Sequence, residues 1–275
     1  MEINILNCFC TDDPQSGNPA AVVSGFSGSA EGKQQLASQL VLPVTVFIKD
    51  QDLSQPILEY YYPSTIMPLC LHGTIGAAYH LMKLRRSDTL ICNTTSGLKL
   101  DAMLLGEVVK IKVCNELLSP IDWDEHEICN ILGIDRSDIE NRLPFQVASV
   151  GSPKLLVPLH SHQRLAALQP HFDLLTSWSI KNKVNGVYVY TKNQKISDVF
   201  HARGFNPKTG HKEDAATGVA AAALACCLRR DLTIEQGQSI HRPCRIQVIY
   251  KSDEEIWIGG SVALQSGKHK KTQTD

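Results

Sequence analysis

Short runs of β-branched and apolar residues alternate along the chain with two unusually small, alanine-rich stretches. Apolar runs bounded by turn residues read as strands, and apolar positions recurring every three to four residues read as helices. On that pattern residues 3–10 form a first strand, residues 11–17 a polar turn, and Asn18-Pro19 opens a second strand over 20–24. Residues 31–40 predict a helix whose apolar face carries Leu36, Ala37 and Leu40. Strands over 44–49 and 57–62 follow, then a helix over 74–84, then strands around 89–91, 98–103 and 108–113. The charged stretch after residue 120 reads as the crossing into a second lobe. That lobe repeats the plan: a helix over 123–132, strands over 145–150 and 154–159, a helical pair within 163–178, and strands over 186–191 and 197–205. A helix over 217–230 and a hairpin over 245–250 and 255–258 complete it, with Gly259-Gly260 behind. The expected division is an N-terminal lobe, 1–118, and a C-terminal lobe, 119–275, with the last strand free to return to the first lobe and 267–275 a flexible tail.

Each half thus offers several strands around one small, apolar helix. The first such helix opens Leu71-His72-Gly73-Thr74-Ile75-Gly76, the second Ala216-Thr217-Gly218-Val219-Ala220. A helix apolar on nearly every side is buried, and small side chains let strands come close to it. A helix N-terminus carries backbone N–H groups without intrahelical partners and about half a positive charge. Glycine there lets a ligand approach the backbone, so each start is suited to a carboxylate or another oxyanion. Polar groups gather at both: Cys70 and His72 at the first, Glu213, Asp214 and Thr217 at the second. Each also has a plain structural role open to it: Asp214 as a helix N-cap, His72 as a structural hydrogen-bonding residue, Cys70 as a buried thiol.

Composition narrows the function classes. Of 275 residues, 27 are basic and 28 acidic, a net charge of -1, so no global field favours nucleic acid or an anionic membrane. No apolar run approaches the length of a membrane span, and the acid at position 2 and a short apolar stretch make the N-terminus a strand rather than a targeting signal. Nine scattered cysteines read as free thiols of a reducing cytoplasm rather than a disulfide framework. Cys8 and Cys10 share a strand face, but two more ligands would be needed for a metal site. No Cys-x-x-Cys, His-Glu-x-x-His, Walker loop or dinucleotide-binding glycine motif occurs.

The ordered set of motifs resembles the PhzF-like family of phenazine biosynthesis, which shares its fold with diaminopimelate epimerase. Gly17-Asn18-Pro19-Ala20-Ala21-Val22 is similar to that family's GNPAAV signature, and Pro68-Leu69-Cys70-Leu71-His72-Gly73-Thr74 to its PLCGHAT segment. Residues 147–158 resemble the segment that leads the second lobe, and Glu213-Asp214-Ala215-Ala216-Thr217-Gly218 resembles EDPATG. Gln236-Gly237, Arg242-Pro243 and Gly259-Gly260 fit its C-terminal positions. The resemblance implies an α+β fold of two similar lobes, each a β-barrel-like sheet wrapped round a central α-helix. It also implies a ligand cleft between the lobes at the helix starts, no cofactor, a homodimer, and isomerisation by proton transfer. Asp214 and His72 are then the expected acid/base pair, with Cys70, Gly73, Thr74, Thr217, Gly218, Val219 and Asn18 binding a small carboxylate-bearing metabolite.

Four positions depart from the family pattern. Val44 falls where the family carries its acid/base glutamate, Asn7 where it carries an aspartate, Leu71 replaces a glycine, and Val219 replaces a serine. Three functions follow as alternatives: a cofactor-independent isomerase or epimerase using Asp214, a two-base racemase for which Cys70 is present but Thr217 stands at the second thiol's place, and a non-catalytic metabolite-binding member.

Overall fold

The computed structural model describes residues 1–49, 54–118, 121–209 and 211–265. The chain divides into two compact units, one formed by Met1–Lys112 with the chain from Trp257 on, the other by Val113–Ile256. The expected tail over 267–275 lies outside the described residues.

The first unit is a closed barrel. Its strands are β1 (Glu2–Cys10), β2 (Asn18–Ser24), β3 (Val44–Lys49), β4 (Ile57–Tyr61), the two-residue β5 (Ile66–Met67), β6 (Thr89–Thr94), β7 (Lys99–Leu105) and β8 (Val108–Val113). The last strand of the chain, Glu255–Leu264, enters this unit between β8 and β1 and closes the ring, with β5 attached to β4 outside it. Its pairing with β1 is antiparallel, Leu6 opposite Leu264 and Cys8 opposite Val262, with a bulge between Cys8 and Cys10. The bulged Phe9 sits at a φ of 62°, fully buried. Closure removes the open edges that a sheet otherwise exposes.

The barrel is filled by helix α2 (Leu71–Arg85), which packs against β1, β2, β3, β4, β6 and β7. Strands β6, β7 and β8 alternate buried and more exposed residues, the period of a sheet with one face inward. Strand β2 is buried throughout, because helix α1 (Ala30–Leu40) covers its other face: Ala21 and Val23 pack with Ala37, Phe47 and Tyr61.

The second unit carries β9 (Gln146–Ala148), β10 (Lys154–Pro158), β11 (Val187–Lys192), β12 (Val199–Asn206), β13 (His211–Asp214), β14 (Leu232–Gln236) and β15 (Cys244–Ser252). Their order is β15-β14-β12-β11-β10-β9, with β13 on β12. Helices α3 (Glu125–Leu132), α4 (His162–Ala166) and α5 (Phe172–Lys181) precede the central α6 (Gly218–Leu228). Helix α6 touches β9 and β10 at one end of this order and β15 at the other, so the sheet wraps round it. The opposite face carries a second core in which Ile128, Ile131, Leu175 and Trp178 pack on Leu155, Val157, Val187 and Val189. Strands β10 and β11, which pair in parallel, are therefore buried on both faces over Lys154–Pro158 and Val187–Thr191.

The α+β fold with two strand-wrapped helices is the one the family resemblance implies. Three strands escaped the pattern. Strand β13, His-Lys-Glu-Asp, has no apolar residue and exists by pairing with β12. Strand β14 is a five-residue alternation, and β5 is two residues long. Helix α2 also begins at Leu71, three residues before the expected start, because Cys70 is the last extended residue.

Candidate active site

Both central helices begin without a conventional cap. Helices α1, α3 and α4 are capped by Ser29, Asp124 and Ser161, whose side chains accept from backbone N–H groups of the first turn. Helix α2 has Cys70 at the N-cap and α6 has Thr217, and neither side chain makes that bond. The first-turn N–H groups of a helix have no partner inside it. At α2 they belong to Leu71, His72 and Gly73, and Thr74 is the first to close a bond, to Cys70 O at 2.8 Å. At α6 the first are Gly218 and Val219, with Ala220 already bonded to Thr217 O at 3.1 Å.

At the start of α2, Cys70 and His72 are buried, and Cys70 Sγ lies 3.2 Å from His72 Nδ1. Tyr62 donates its hydroxyl to the same sulfur at 3.5 Å. Thr74 is turned into the barrel: its hydroxyl donates to Cys70 O at 2.9 Å and accepts from Tyr60 at 2.7 Å. Full burial pushes the Tyr60 phenol well above its ordinary range, which keeps it a donor. Val44, fully buried on β3, stands beside Gly73. A β-carbon on Gly73 would lie 3.2 Å from Val44 Cγ1 and 2.8 Å from Val46 Cγ2, which explains why glycine occupies this turn of the helix. An apolar wall thus borders the first helix start where the resemblance implies a glutamate. Asn18 belongs to the barrel wall, fully buried at the start of β2 opposite Cys8.

At the start of α6 the two acids of Glu213-Asp214 have separate fates. Glu213 is held by Arg203 in a bidentate ion pair, Nε to Oε1 at 2.9 Å and Nη2 to Oε2 at 2.7 Å. The third guanidinium nitrogen of Arg203 donates to the carbonyls of Leu165, Ala166 and Leu168. The N-cap position of the helix is Thr217, and Asp214 three residues before it accepts the Thr217 hydroxyl on Oδ2 at 3.2 Å. Gln236, fully buried, ties the arrangement together. Its amide nitrogen donates to Asp214 O (2.8 Å) and Thr217 Oγ1 (3.0 Å), and its oxygen accepts from Thr217 N and Tyr188 Oη, both at 3.1 Å. All four bonds open to a glutamine are made, which fixes its orientation. Burial, and then the Asp214 charge, hold the Tyr188 phenol well above its ordinary range, so it remains a donor.

Gly204, paired with Asp214 across β12 and β13, leaves room for this contact. A β-carbon there would fall 2.2 Å from Thr217 Oγ1. Lys154, at the start of β10, is buried, and its ammonium donates to Asn206 Oδ1 and Asn185 O. Burial lowers its pKa to about 7 against the opposing pull of Asp214.

The structure gathers Cys70, His72, Gly73 and Thr74 at one helix start, and Asp214, Thr217, Gly218 and Val219 at the other. Sequence reasoning passed over Arg203, Lys154, Tyr188 and the role of Gln236. A single charge inside each of two apolar strands, Val-Phe-His-Ala-Arg-Gly-Phe and Lys-Leu-Leu-Val-Pro, was the available signal. Among the described residues no group of three or more His, Cys, Asp or Glu is placed to hold a metal ion.

The chain resembles known proteins over nearly its whole length. The family model for phenazine biosynthesis-like proteins, PhzC-PhzF, matches residues 7–266. An uncharacterized isomerase of Clostridium acetobutylicum is 30% identical, the match covering 89% of this chain and 88% of that protein. The trans-2,3-dihydro-3-hydroxyanthranilate isomerase of Pseudomonas aeruginosa is 28% identical, over 86% of this chain and 82% of that enzyme. The crystal structure of a Bacillus anthracis PhzF-family phenazine biosynthesis protein shares the fold with a TM-score of 0.84 at 23% identity, covering 96% of each chain.

Proposed function

This chain belongs to the PhzC-PhzF family of phenazine biosynthesis-like proteins, and we propose on that premise that it is a cofactor-independent isomerase that moves a proton on a small carboxylate-bearing metabolite. The observation that carries the reading is the start of α6, where the Thr217 N-cap side chain makes no cap bond and instead turns to the carboxylate of Asp214. Helix termini of this kind favour an oxyanion by charge and by directed donors. In this reading Gly218 and Val219 offer backbone N–H groups to the substrate, and Asp214 beside them is the proton carrier.

Asp214 suits that role through what holds it. Thr217 donates to one carboxylate oxygen, and the backbone is fixed by Gln236, so a single orientation is prepared before substrate arrives. At the other helix start His72, with Cys70 Sγ at its Nδ1, is the alternative acid/base group. Val44, beside Gly73 at the first helix start, supplies no proton there. The Clostridium relative is named an isomerase, and the Pseudomonas relative is named for one particular substrate, which favours an enzyme over a non-catalytic binder. We take the working protein to be a cytoplasmic homodimer, a reading supported by the family resemblance and by nine free thiols; light scattering on the purified chain tests the dimer.

The test is solvent isotope entry. The protein is incubated in deuterium oxide with a library of metabolite acids that includes trans-2,3-dihydro-3-hydroxyanthranilate, and each acid is followed by mass spectrometry. Wild type incorporates deuterium into at least one acid. Asp214→Asn slows that incorporation by about 10²- to 10⁴-fold, the usual worth of a general acid/base. Val44→Glu raises turnover of trans-2,3-dihydro-3-hydroxyanthranilate. Binding of an acid without any exchange would overturn the enzymatic reading, and equal exchange by Asp214→Asn would move the role to Cys70 or His72.

A further inference from the structure

The second unit contains a buried cation that the proposed chemistry leaves unused. Lys154 is 3% exposed, at the first position of β10. An ammonium so far from water is disfavoured unless its protons are taken up. Its acceptors are Asn206 Oδ1 and the carbonyl of Asn185. Asn185 is itself bonded to Ser152 and reached by Lys208. Asn206 ends β12 and pairs with His211 at the first residue of β13, while Gly204, two residues back, pairs with Asp214 at the last. Lys154 therefore grips the turn end of the β12–β13 hairpin, whose open end presents Asp214 to Thr217.

We propose that Lys154 is a positioning residue for Asp214: it braces the β12–β13 hairpin through Asn206 and sets the local field in which the Asp214 carboxylate works. This rests on the reading of Asp214 as the proton carrier. The charged groups acting on Lys154 are Asp214 on β13, which stabilises its ammonium, and Lys208 in the turn after β12, which opposes it. The other polar groups at its tip are the neutral Asn185 and Asn206. A hydrocarbon side chain would fill the same space without desolvating a charge, and replacing buried charge by apolar groups is often neutral or stabilising. The retention of an amine here is explained by its link to the acid at the far end of the hairpin. Burial draws its pKa down to about 7, so the ammonium, and with it the field at Asp214, is lost well below the ordinary lysine range.

Nitrogen-15 NMR of the lysine side chains tests this on the intact chain without needing a substrate. In wild type the Lys154 resonance titrates near about 7, and the backbone amides of Gly204 and Asp214 shift with the same midpoint. In Asp214→Asn the Lys154 midpoint falls by about one pH unit, the low end of the effect of losing an opposite charge. A lysine serving only as a brace would titrate identically in both proteins. Lys154→Met abolishes the pH-dependent amide shifts; should that variant fail to fold, the comparison of wild type with Asp214→Asn decides alone. An unmoved midpoint in Asp214→Asn, or titration in the ordinary lysine range near ~10.4, overturns the proposal. Absence of deuterium exchange in wild type would instead defeat the role given to Asp214 and leave the measured coupling standing, so the two failures are distinguishable.

Discussion

Neighbouring acids with opposite fates give the sharpest prediction. Glu213 and Asp214 are adjacent in β13, yet the carboxylate of Glu213 is fully engaged by Arg203 with both side chains about nine-tenths buried. Removing one partner of a buried pair strands the other charge and costs about 3–5 kcal/mol. Arg203 keeps three backbone carbonyls after the change, which places Glu213→Gln at the lower end, about 3 kcal/mol. That corresponds to roughly a hundredfold loss in the folding constant at 1.4 kcal/mol per factor of ten. The assay is urea unfolding followed by tryptophan fluorescence, since Trp178 lies in the core of the same unit. Asp214→Asn, partly buried, keeps a side-chain oxygen to accept from Thr217 and should change stability little and remove exchange. Glu213→Gln should do the reverse: unfold at lower urea, yet exchange deuterium at the wild-type rate per folded molecule. A Glu213→Gln protein as stable as wild type, or folded and inactive, would refute this division of labour.

Other expectations follow from the same contacts. Gly204→Ala puts a methyl group where Thr217 Oγ1 now lies, so Thr217 must leave Asp214. Thr217→Val removes the same hydrogen bond without the clash, and both variants should lower exchange by about ten- to a hundredfold, the worth of a bond to a charged group. Gly73→Ala drives a β-carbon against Val46 and should cost about 1–3 kcal/mol by overpacking, read by urea unfolding of the first unit. For Lys154, the folded pKa is lowered from 10.5 to about 7, so between those values the unfolded chain binds the extra proton and stability rises with pH. At about 1.4 kcal/mol per pH unit the window is worth on the order of 5 kcal/mol. Lys154→Met should flatten that rise and be the more stable protein at pH 6, as measured by denaturant titration across pH; a wild-type stability that falls between pH 7 and 10 would contradict the assignment.

The sequence by itself determined the two central helices and most of the strands around them. Residues 71–78 and 216–223 are too small and too uniformly apolar to lie on a surface, so burial inside a sheet was the outcome the composition allowed. The ordered motifs led to the family and to both helix starts, because short contiguous runs such as Cys70 to Thr74 and Glu213 to Gly218 carry backbone chemistry that is local in the chain. Only the tertiary structure decided what each polar group does there. What Asp214 meets at its helix start depends on Thr217, Gln236 and Gly204, which lie 3, 22 and 10 positions away in sequence and meet through strand pairing. The pairing of Glu213 with Arg203 and the burial of Lys154 have the same origin. A strand places alternate side chains on opposite faces, so neighbours in sequence become strangers in space, and the partner that fixes a charge is named by sheet register, which no local pattern encodes.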